Sequence, residues 1–519
     1  MRPRVNESKL PHRAISRRAF GASVIGAAAV YTMGRTAPTT SAGPASSPYR
    51  LVAQEMSRTA GREFFGVNGA RIISAQNAAQ WHARGFRDAL AATGTGLLRV
   101  QGGTTSQWLD WRTGLFDEHE GGGFAGRNDG RTPLLLSDWA ELVGHTGATP
   151  IFDLNVANST LDDQLDMLRH AQQLGMPVRY VELGNELWMP MARYSEVYPT
   201  GADYARTMNE WITAIRREFP HARIGVAAAD DSSVLGTALG DRFRAWNDQL
   251  YGTIRGADAV VIHPYWIVDP VTADVSSTAS GGVVQWTQLA QRLLPKVPTG
   301  MEIWFTEYNQ MGREDLPLLR NFPAPQQTWA VALSVASFTL RALLDPRVGM
   351  AVMHCALNGA PTATTGGGGT TNQPLHALIS DGSGGSELFG RTALNWALTP
   401  LYRSLDDSTT VRALRLDPGI ESPAALLVPA YTGLAEAFTG AELTSAAGDT
   451  VAVLINAADR PLRIALPPSL IGARQATTYT AAPTAAPAFV PGDTISEIRT
   501  VAADTIELPA YSETLIRSS

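Results

Sequence analysis

Between Phe64 and Ala356 the chain repeats one pattern: a short apolar run of strand length, then a longer stretch with helical spacing, then another apolar run. The runs are Phe64–Ala70, Leu97–Gly102, Pro150–Asn155, Arg179–Gly184, Arg223–Ala229, Ala259–His263, Glu302–Thr306 and Gly349–Ala356. Short runs of this kind suit strands buried on both faces. Leu161–Leu174, Ala202–Phe219, Gln285–Leu294 and Gln326–Leu344 read as helices between them. Eight strands, most followed by a helix, predict an α/β fold of the (β/α)8 TIM barrel type. A doubly wound sheet would need a glycine-rich phosphate turn after its first strand, and Gly66-Val67-Asn68-Gly69-Ala70 does not supply one.

The chain has 519 residues, too many for one small core and enough for a barrel with a second domain. After about Leu401, Ser/Thr/Ala/Pro-rich segments separate short alternating strands such as Val451–Asn456, Leu462–Leu466 and Thr505–Leu508, the pattern of a C-terminal all-β sandwich. The expected division is a barrel over 60–400 and a sandwich over 401–519. Residues 43–59 read as a linker with a first sandwich strand near Tyr49–Ala53.

Residues 1–42 read as a targeting segment. Arg13, Arg17 and Arg18 precede a weakly apolar stretch from Phe20 to about Met33 that is too short to span a bilayer. Ser16-Arg17-Arg18-Ala19-Phe20 resembles a bacterial twin-arginine signal. The expectation is therefore a secreted or periplasmic protein with no stable membrane insertion after processing. Cys355 is the single cysteine, so no intrachain disulfide forms, in keeping with export of an already folded chain. The net charge is -6, and the cations are scattered arginines with only Lys9 and Lys296 as lysines, which excludes the basic face of a nucleic-acid binder.

Two strand ends carry a carboxylate beside an amide: Val181-Glu182-Leu183-Gly184-Asn185-Glu186-Leu187-Trp188 and Ile303-Trp304-Phe305-Thr306-Glu307-Tyr308-Asn309. A lone Asn-Glu pair at a strand end is more often a solvated or salt-bridged terminus. Here Glu186 and Glu307 end the fourth and seventh runs, and two carboxylates from separate strand ends are what a retaining glycoside hydrolase uses. The acid of such a pair is kept protonated by its partner's charge and loses that bias once the partner is glycosylated. This assigns Glu186 as acid/base and Glu307 as nucleophile.

Alternation puts Glu182, Gly184 and Glu186 on one face, so Asn185 reaches substrate only where the strand bends. Asn155, Asn185 and Gln310 are candidate partners for sugar hydroxyls. Trp188 and Trp266, just beyond catalytic strand ends, are candidate stacking platforms, whereas Trp108 and Trp111 read equally well as core. The glycine-rich stretch Thr364–Thr371 reads as a mobile loop over the cleft. His263, His354 and His376 lack metal-site spacing, so no metal or other cofactor is expected. Cys355 reads as an inert buried thiol, and no Gly-x-Ser-x-Gly elbow points to a serine hydrolase.

These strand ends resemble the hallmark of clan A glycoside hydrolases. Arg99 resembles that clan's second-strand arginine, and His263-Pro264-Tyr265 resembles its sixth-strand pair. The resemblance implies that Arg99 supports the nucleophile and that the Tyr265 hydroxyl bonds to it. Leu98-Arg99-Val100-Gln101-Gly102-Gly103, Asp110-Trp111-Arg112-Thr113-Gly114, Leu154-Asn155-Val156, Thr306-Glu307-Tyr308-Asn309 and Leu398-Thr399-Pro400-Leu401-Tyr402 are similar to segments of family 51 α-L-arabinofuranosidases. Families 39 and 79 share much of the pattern, and Glu182-Leu183-Gly184-Asn185-Glu186 resembles family 79 too.

The resemblance implies hydrolysis of an oligo- or polysaccharide, with a terminal arabinofuranoside of cell-wall material as the first substrate. A β-glucuronide or β-xyloside is the alternative. Gln101 replaces a proline usual before the paired glycines, and Cys355-Ala356-Leu357-Asn358 lacks a tryptophan many clan members carry. Both departures fall where the reacting sugar would sit. A barrel that only binds carbohydrate is the non-catalytic alternative, against which the joint presence of Glu186, Glu307, Arg99, His263 and Tyr265 argues.

Overall fold

The structure, a computed structural model, describes residues 48–517 apart from 70–80, 118–127, 233–238, 268–274, 312–327, 357–378, 382–388, 418–425 and short stretches at 431–432, 468–469, 471–473, 485–494 and 503. The targeting segment 1–42, the glycine-rich stretch 364–371 and His376 lie outside the described residues.

Eight parallel strands close into a barrel: Phe65–Asn68, Leu97–Val100, Thr149–Asp153, Tyr180–Leu183, Arg223–Ala227, Ala259–Val261, Glu302–Phe305 and Val348–Met353, numbered first to eighth below. Inward-facing Leu97, Ile151, Tyr180, Ala259, Val261, Trp304, Met350 and Val352 fill its lower interior with one apolar cluster. Gly225 makes room for the Trp304 indole, since a Cβ there would lie 2.7 Å from the ring. Side chains alternate along a strand. The register that buries Leu97, Ile151 and Tyr180 therefore delivers Arg99, Asp153 and Glu182, two residues further on, to the C-terminal mouth of the same interior.

Helices Leu161–Gln173 and Gly201–Glu218 match the sequence pattern closely. Helix Val275–Arg292 begins ten residues before the expected Gln285, as its first half, Val275-Ser276-Ser277-Thr278-Ala279-Ser280-Gly281-Gly282, is built from weak helix formers. Tertiary packing overrides that propensity. The small residues let this helix lie directly on helix Trp329–Leu344, where the Gly282 N–H donates to Ser334 Oγ at 2.7 Å.

The β domain is a nine-stranded, largely antiparallel sheet. Strands from along its whole length contribute to one core, including Leu51, Leu414, Leu454, Leu462, Ile464, Leu508 and Ile516, so the sheet curls over itself as a sandwich does. Tyr49–Ala60 is a strand throughout, longer than Tyr49–Ala53, and pairs antiparallel with Thr409–Asp417. The stretch expected as linker up to residue 59 is thus sheet from Tyr49 onward. The opposite face of the sheet, with Val453, Ile455 and Leu515, joins the barrel's own apolar core. Hydrogen bonds from Trp329 Nε1 to the Tyr511 carbonyl (2.7 Å) and from Arg58 Nη1 to the carbonyls of Asp345 (2.6 Å) and Val348 (2.9 Å) fix the contact. Among the described residues no helix is long and apolar enough to cross a membrane.

A Cβ at Gly282 would penetrate the Ser334 carbonyl, and backbone cannot rotate away as a flexible side chain would. Gly282→Ala should therefore lower stability by about 1–3 kcal/mol despite alanine's better helix propensity. Chemical denaturation decides it: a variant as stable as the natural chain would contradict the close helix contact.

Candidate active site

Arg99, fully buried on the second strand, meets three carboxylates and an amide. Its Nη1 donates to Glu307 Oε1 at 2.6 Å, Nε to Glu182 Oε2 at 2.9 Å, and Nη2 to Asp153 Oδ2 at 3.2 Å and Asn185 Oδ1 at 3.0 Å. Nη2 also lies 2.6 Å from Glu182 Oε2. The planar guanidinium thus ties the second, third, fourth and seventh strands together at the barrel mouth. Removing one member of such a buried cluster typically costs about 3–5 kcal/mol, whereas an exposed pair such as Arg84–Asp88 contributes roughly 0–1 kcal/mol.

The fourth strand ends at Leu183 in a bend made by the Gly-Asn-Glu triplet. Gly184 has φ +83°, and a Cβ there would lie 2.5 Å from Val156 Cγ2 and 2.6 Å from Leu187 Cδ2, so only glycine fits. The bend turns Asn185 inward, where its oxygen accepts from Arg99. Glu186, itself at φ +48°, is aimed across the mouth, where its Oε1 lies 3.3 Å from His263 Nδ1. A non-glycine residue in this left-handed region costs energy and persists only where its surroundings hold it, a common feature of functional positions. Nε2 of His263 in turn meets Thr306 Oγ1 at 3.0 Å.

Beyond the barrel rim, Tyr265–Ile267 pairs in parallel with Asn309–Met311. This extension brings the Tyr265 hydroxyl to donate to Glu307 Oε2 at 2.8 Å. Asn68, at the end of the first strand, donates through Nδ2 to Glu307 Oε1 at 3.1 Å. Glu307 is therefore held through both oxygens.

One carboxylate oxygen each of Glu186 and Glu307 and a ring nitrogen of His263 lie within 4.8 Å of one another. A cation drawn to this trio would have to displace the Arg99, Asn68 and Tyr265 donors from Glu307, so the donor set suits a carboxylate pair better than a metal. Burial alone would push Glu307 up. His263, His354, Arg99 and the Tyr265 hydrogen bond outweigh it and hold the carboxyl well below the usual range. His263 is displaced the other way: burial lowers it, but Glu307 and Glu186 beside it leave it raised.

Of the residues expected at the site, Glu186, Glu307, Arg99, Asn185, His263 and Tyr265 converge. Four others lie in the packing around them. Asn155 spends its carboxamide oxygen on the Asn158 N–H at 2.9 Å, shaping the loop after the third strand. Trp188 is buried edge-on against Phe243, with ring centroids 5.1 Å apart. Trp266 is buried against Phe338 and donates to Ser334 Oγ and to Gln310 Oε1, which fixes Gln310 as well. These rings face helices rather than offering a flat sugar platform. Trp108, fully buried near Tyr194, is core.

Sequence reasoning missed Asn68, Asp153 and Glu182 as parts of the cluster. Inward register two residues beyond the apolar layer was the available signal. His354, expected as a satisfied barrel residue, stands edge-on to Tyr265 with ring centroids 6.1 Å apart, near enough to favour the Glu307 anion.

The Tyr265 hydrogen bond favours ionised Glu307, so its removal raises the carboxyl's pKa. In Tyr265→Phe, carbon-detected NMR of Glu307 should show protonation moving to higher pH by on the order of one pH unit. An unmoved titration would contradict the contact.

No model of a protein family and no curated protein matches this sequence. Solved structures do match its fold. A family 51 α-L-arabinofuranosidase from Bifidobacterium longum is 13% identical, with a TM-score of 0.65 over 91% of this chain and 99% of that one. A family 51 arabinofuranosidase from Xanthomonas axonopodis pv. citri is 14% identical, with a TM-score of 0.64 over 90% and 99%. A 4-O-α-L-rhamnosyl-β-D-glucuronidase from Fusarium oxysporum 12S is 14% identical, with a TM-score of 0.57 over 91% and 100%. The chain thus shares, over nearly its whole described length, the barrel and β-domain architecture of clan A glycoside hydrolases such as the family 51 arabinofuranosidases.

Proposed function

We propose that this protein is a retaining glycoside hydrolase in which Glu307 is the nucleophile and Glu186 the acid/base. The observation that carries the reading is the approach of the two carboxylates to within 4.8 Å, oxygen to oxygen. Retaining enzymes hold their pair about 5–5.5 Å apart, whereas inverting enzymes need roughly 6.5–9.5 Å to admit a water. The asymmetry of the pair supports these roles. Glu307 is surrounded by donors that favour its anion, as a nucleophile requires, while Glu186 is bonded only to His263 among the described contacts.

In the first step a Glu307 oxygen bonds to the anomeric carbon as the glycosidic C–O bond breaks, and Glu186 gives its proton to the departing oxygen. In the second, water attacks the anomeric carbon, Glu186 takes its proton, and the Glu307 ester bond breaks with return of the carboxylate. His263 steadies Glu186 through both proton transfers.

The substrate we favour is a terminal α-L-arabinofuranoside of plant or bacterial cell-wall polysaccharide, supported by the fold shared with family 51 enzymes together with the sequence motifs. The Fusarium glucuronidase fold and the Glu182–Glu186 string support a β-glucuronide as the second reading. We also propose export through the Arg17-Arg18 signal. Arg17→Lys with Arg18→Lys should keep the chain inside a bacterial host, and undiminished export would remove that assignment.

A panel of nitrophenyl arabinofuranosides, glucuronides and xylosides tests the substrate. With the best of them, Glu307→Gln should lose at least about 10³-fold in kcat. Glu186→Ala should retain glycosylation by substrates with good leaving groups and regain deglycosylation with azide. Unimpaired Glu307→Gln, or a folded Glu186→Ala without azide rescue, would contradict the roles. A carbohydrate-binding barrel without activity would show sugar binding and no turnover anywhere in the panel.

A further inference from the structure

Asp153 and Glu182 are register partners on adjacent parallel strands, both fully buried and both facing the barrel interior. Each gives one oxygen to the same Arg99 nitrogen, Nη2. Asp153 Oδ2 also accepts from Ser106 Oγ at 2.8 Å and from the Gly103 N–H at 3.1 Å. Their other oxygens, Asp153 Oδ1 and Glu182 Oε1, are buried with no hydrogen-bond partner among the described residues. A pair of desolvated carboxylate oxygens on neighbouring strands, both anionic and both unsatisfied, is an arrangement proteins avoid. One proton on the pair removes one of the two buried charges.

We propose that Asp153 and Glu182 hold a single proton between them, and that the pair, with one charge removed, acts as a positioning element that keeps Arg99 engaged with Glu307. The charge count supports it. Among the described residues Arg99 is the one arginine that touches all three carboxylates, and with all three ionised it would be drawn toward the Asp153–Glu182 pair and away from Glu307. With one proton on the pair, the guanidinium faces one negative charge behind it and one on Glu307.

The other groups facing the pair do not supply a second cation. Asn185 and Ser106 are neutral. Tyr194, from helix Ala192–Val197, and Tyr204, from helix Gly201–Glu218, have phenols that burial keeps protonated, and Tyr204 already donates to the Leu183 carbonyl at 2.6 Å. The electrostatics agree in direction. Burial pushes Asp153 up, Arg99 pulls it back, and Glu182 and Glu307 push it up again, to about 7. The functional half of the proposal rests on Glu307 being the nucleophile; the shared proton does not.

The test uses Asp153→Asn, whose carboxamide keeps the acceptor oxygen and removes one charge from the pair at every pH. A folded-state value raised to about 7 means that the folded chain keeps a proton the unfolded chain has released. Stability from this group is therefore full below the ordinary carboxylate range, falls as pH rises toward 7, and levels above it. In Asp153→Asn that loss is absent, so the variant's Tm should gain on the natural chain by on the order of a few degrees between about pH 4 and 7 and then hold constant.

The infrared difference between natural chain and variant near pH 6 should show one buried protonated-carboxyl stretch, since Glu513 and Asp230, also raised by burial, contribute equally to both spectra and cancel. If Asp153→Asn does not fold, Glu182→Gln carries the same two measurements. Parallel Tm curves across this range, or no carboxyl stretch in the natural-minus-variant difference, would overturn the proposal. Neither measurement needs turnover, so a chain that hydrolyses no glycoside would refute the proposed function and leave the shared proton still decided by these data.

Discussion

The buried guanidinium of Arg99 is the contact on which the rest of the site depends. It reaches Glu307 on one side and Asp153, Glu182 and Asn185 on the other, so one planar group fixes four strand ends relative to one another. Five donors in a rigid fork suit that task, and a lysine's single ammonium would not. The same contact helps keep Glu307 anionic despite its burial, the electrostatic condition that the proposed role as nucleophile needs.

Around this anchor the fold separates two tasks that compete in most cores. The lower barrel interior is apolar and packed, with Trp304 seated against Gly225. The layer above it is charged and hydrogen-bonded. Because both layers come from the same strands at a spacing of two residues, the packing that stabilises the barrel also sets the aim of the polar side chains. The β domain adds rigidity from outside. Its sheet takes in the strand Tyr49–Ala60 that leads into the barrel, and it packs against helix Trp329–Leu344 behind the seventh and eighth strands.

Much of this could be read from the sequence, for physical reasons that also explain the failures. Buried parallel strands are continuous apolar runs, so all eight were visible, and a carboxylate at the end of such a run stands out, as Glu186 and Glu307 do. Asn68, Asp153 and Glu182 did not stand out, since a polar residue inside an apolar strand gives no sign of its partners until the strands are placed side by side. Trp188 and Trp266 misled for a related reason: nearness in sequence to the strand ends that carry Glu186 and Glu307 does not fix the direction of a ring, and Phe243 and Phe338 claimed those faces. The early start of helix Val275–Arg292 was hidden by serines and glycines whose value lies in close helix packing rather than in propensity. Gln101, at φ +58° beside the glycines that pass over Arg99 and Glu307, is the clearest departure from the family 51 pattern at the barrel mouth.

The central claim is that Glu307 becomes covalently bonded to the sugar. The most direct measurement is mass spectrometry of the protein after incubation with a 2-deoxy-2-fluoro glycoside bearing a good leaving group, using the sugar preferred by the natural chain. The account predicts one glycosyl adduct, located by peptide mapping at Glu307 and formed more slowly when Tyr265 is phenylalanine. An adduct on another carboxylate, or hydrolysis with inverted anomeric configuration and no adduct, would contradict it.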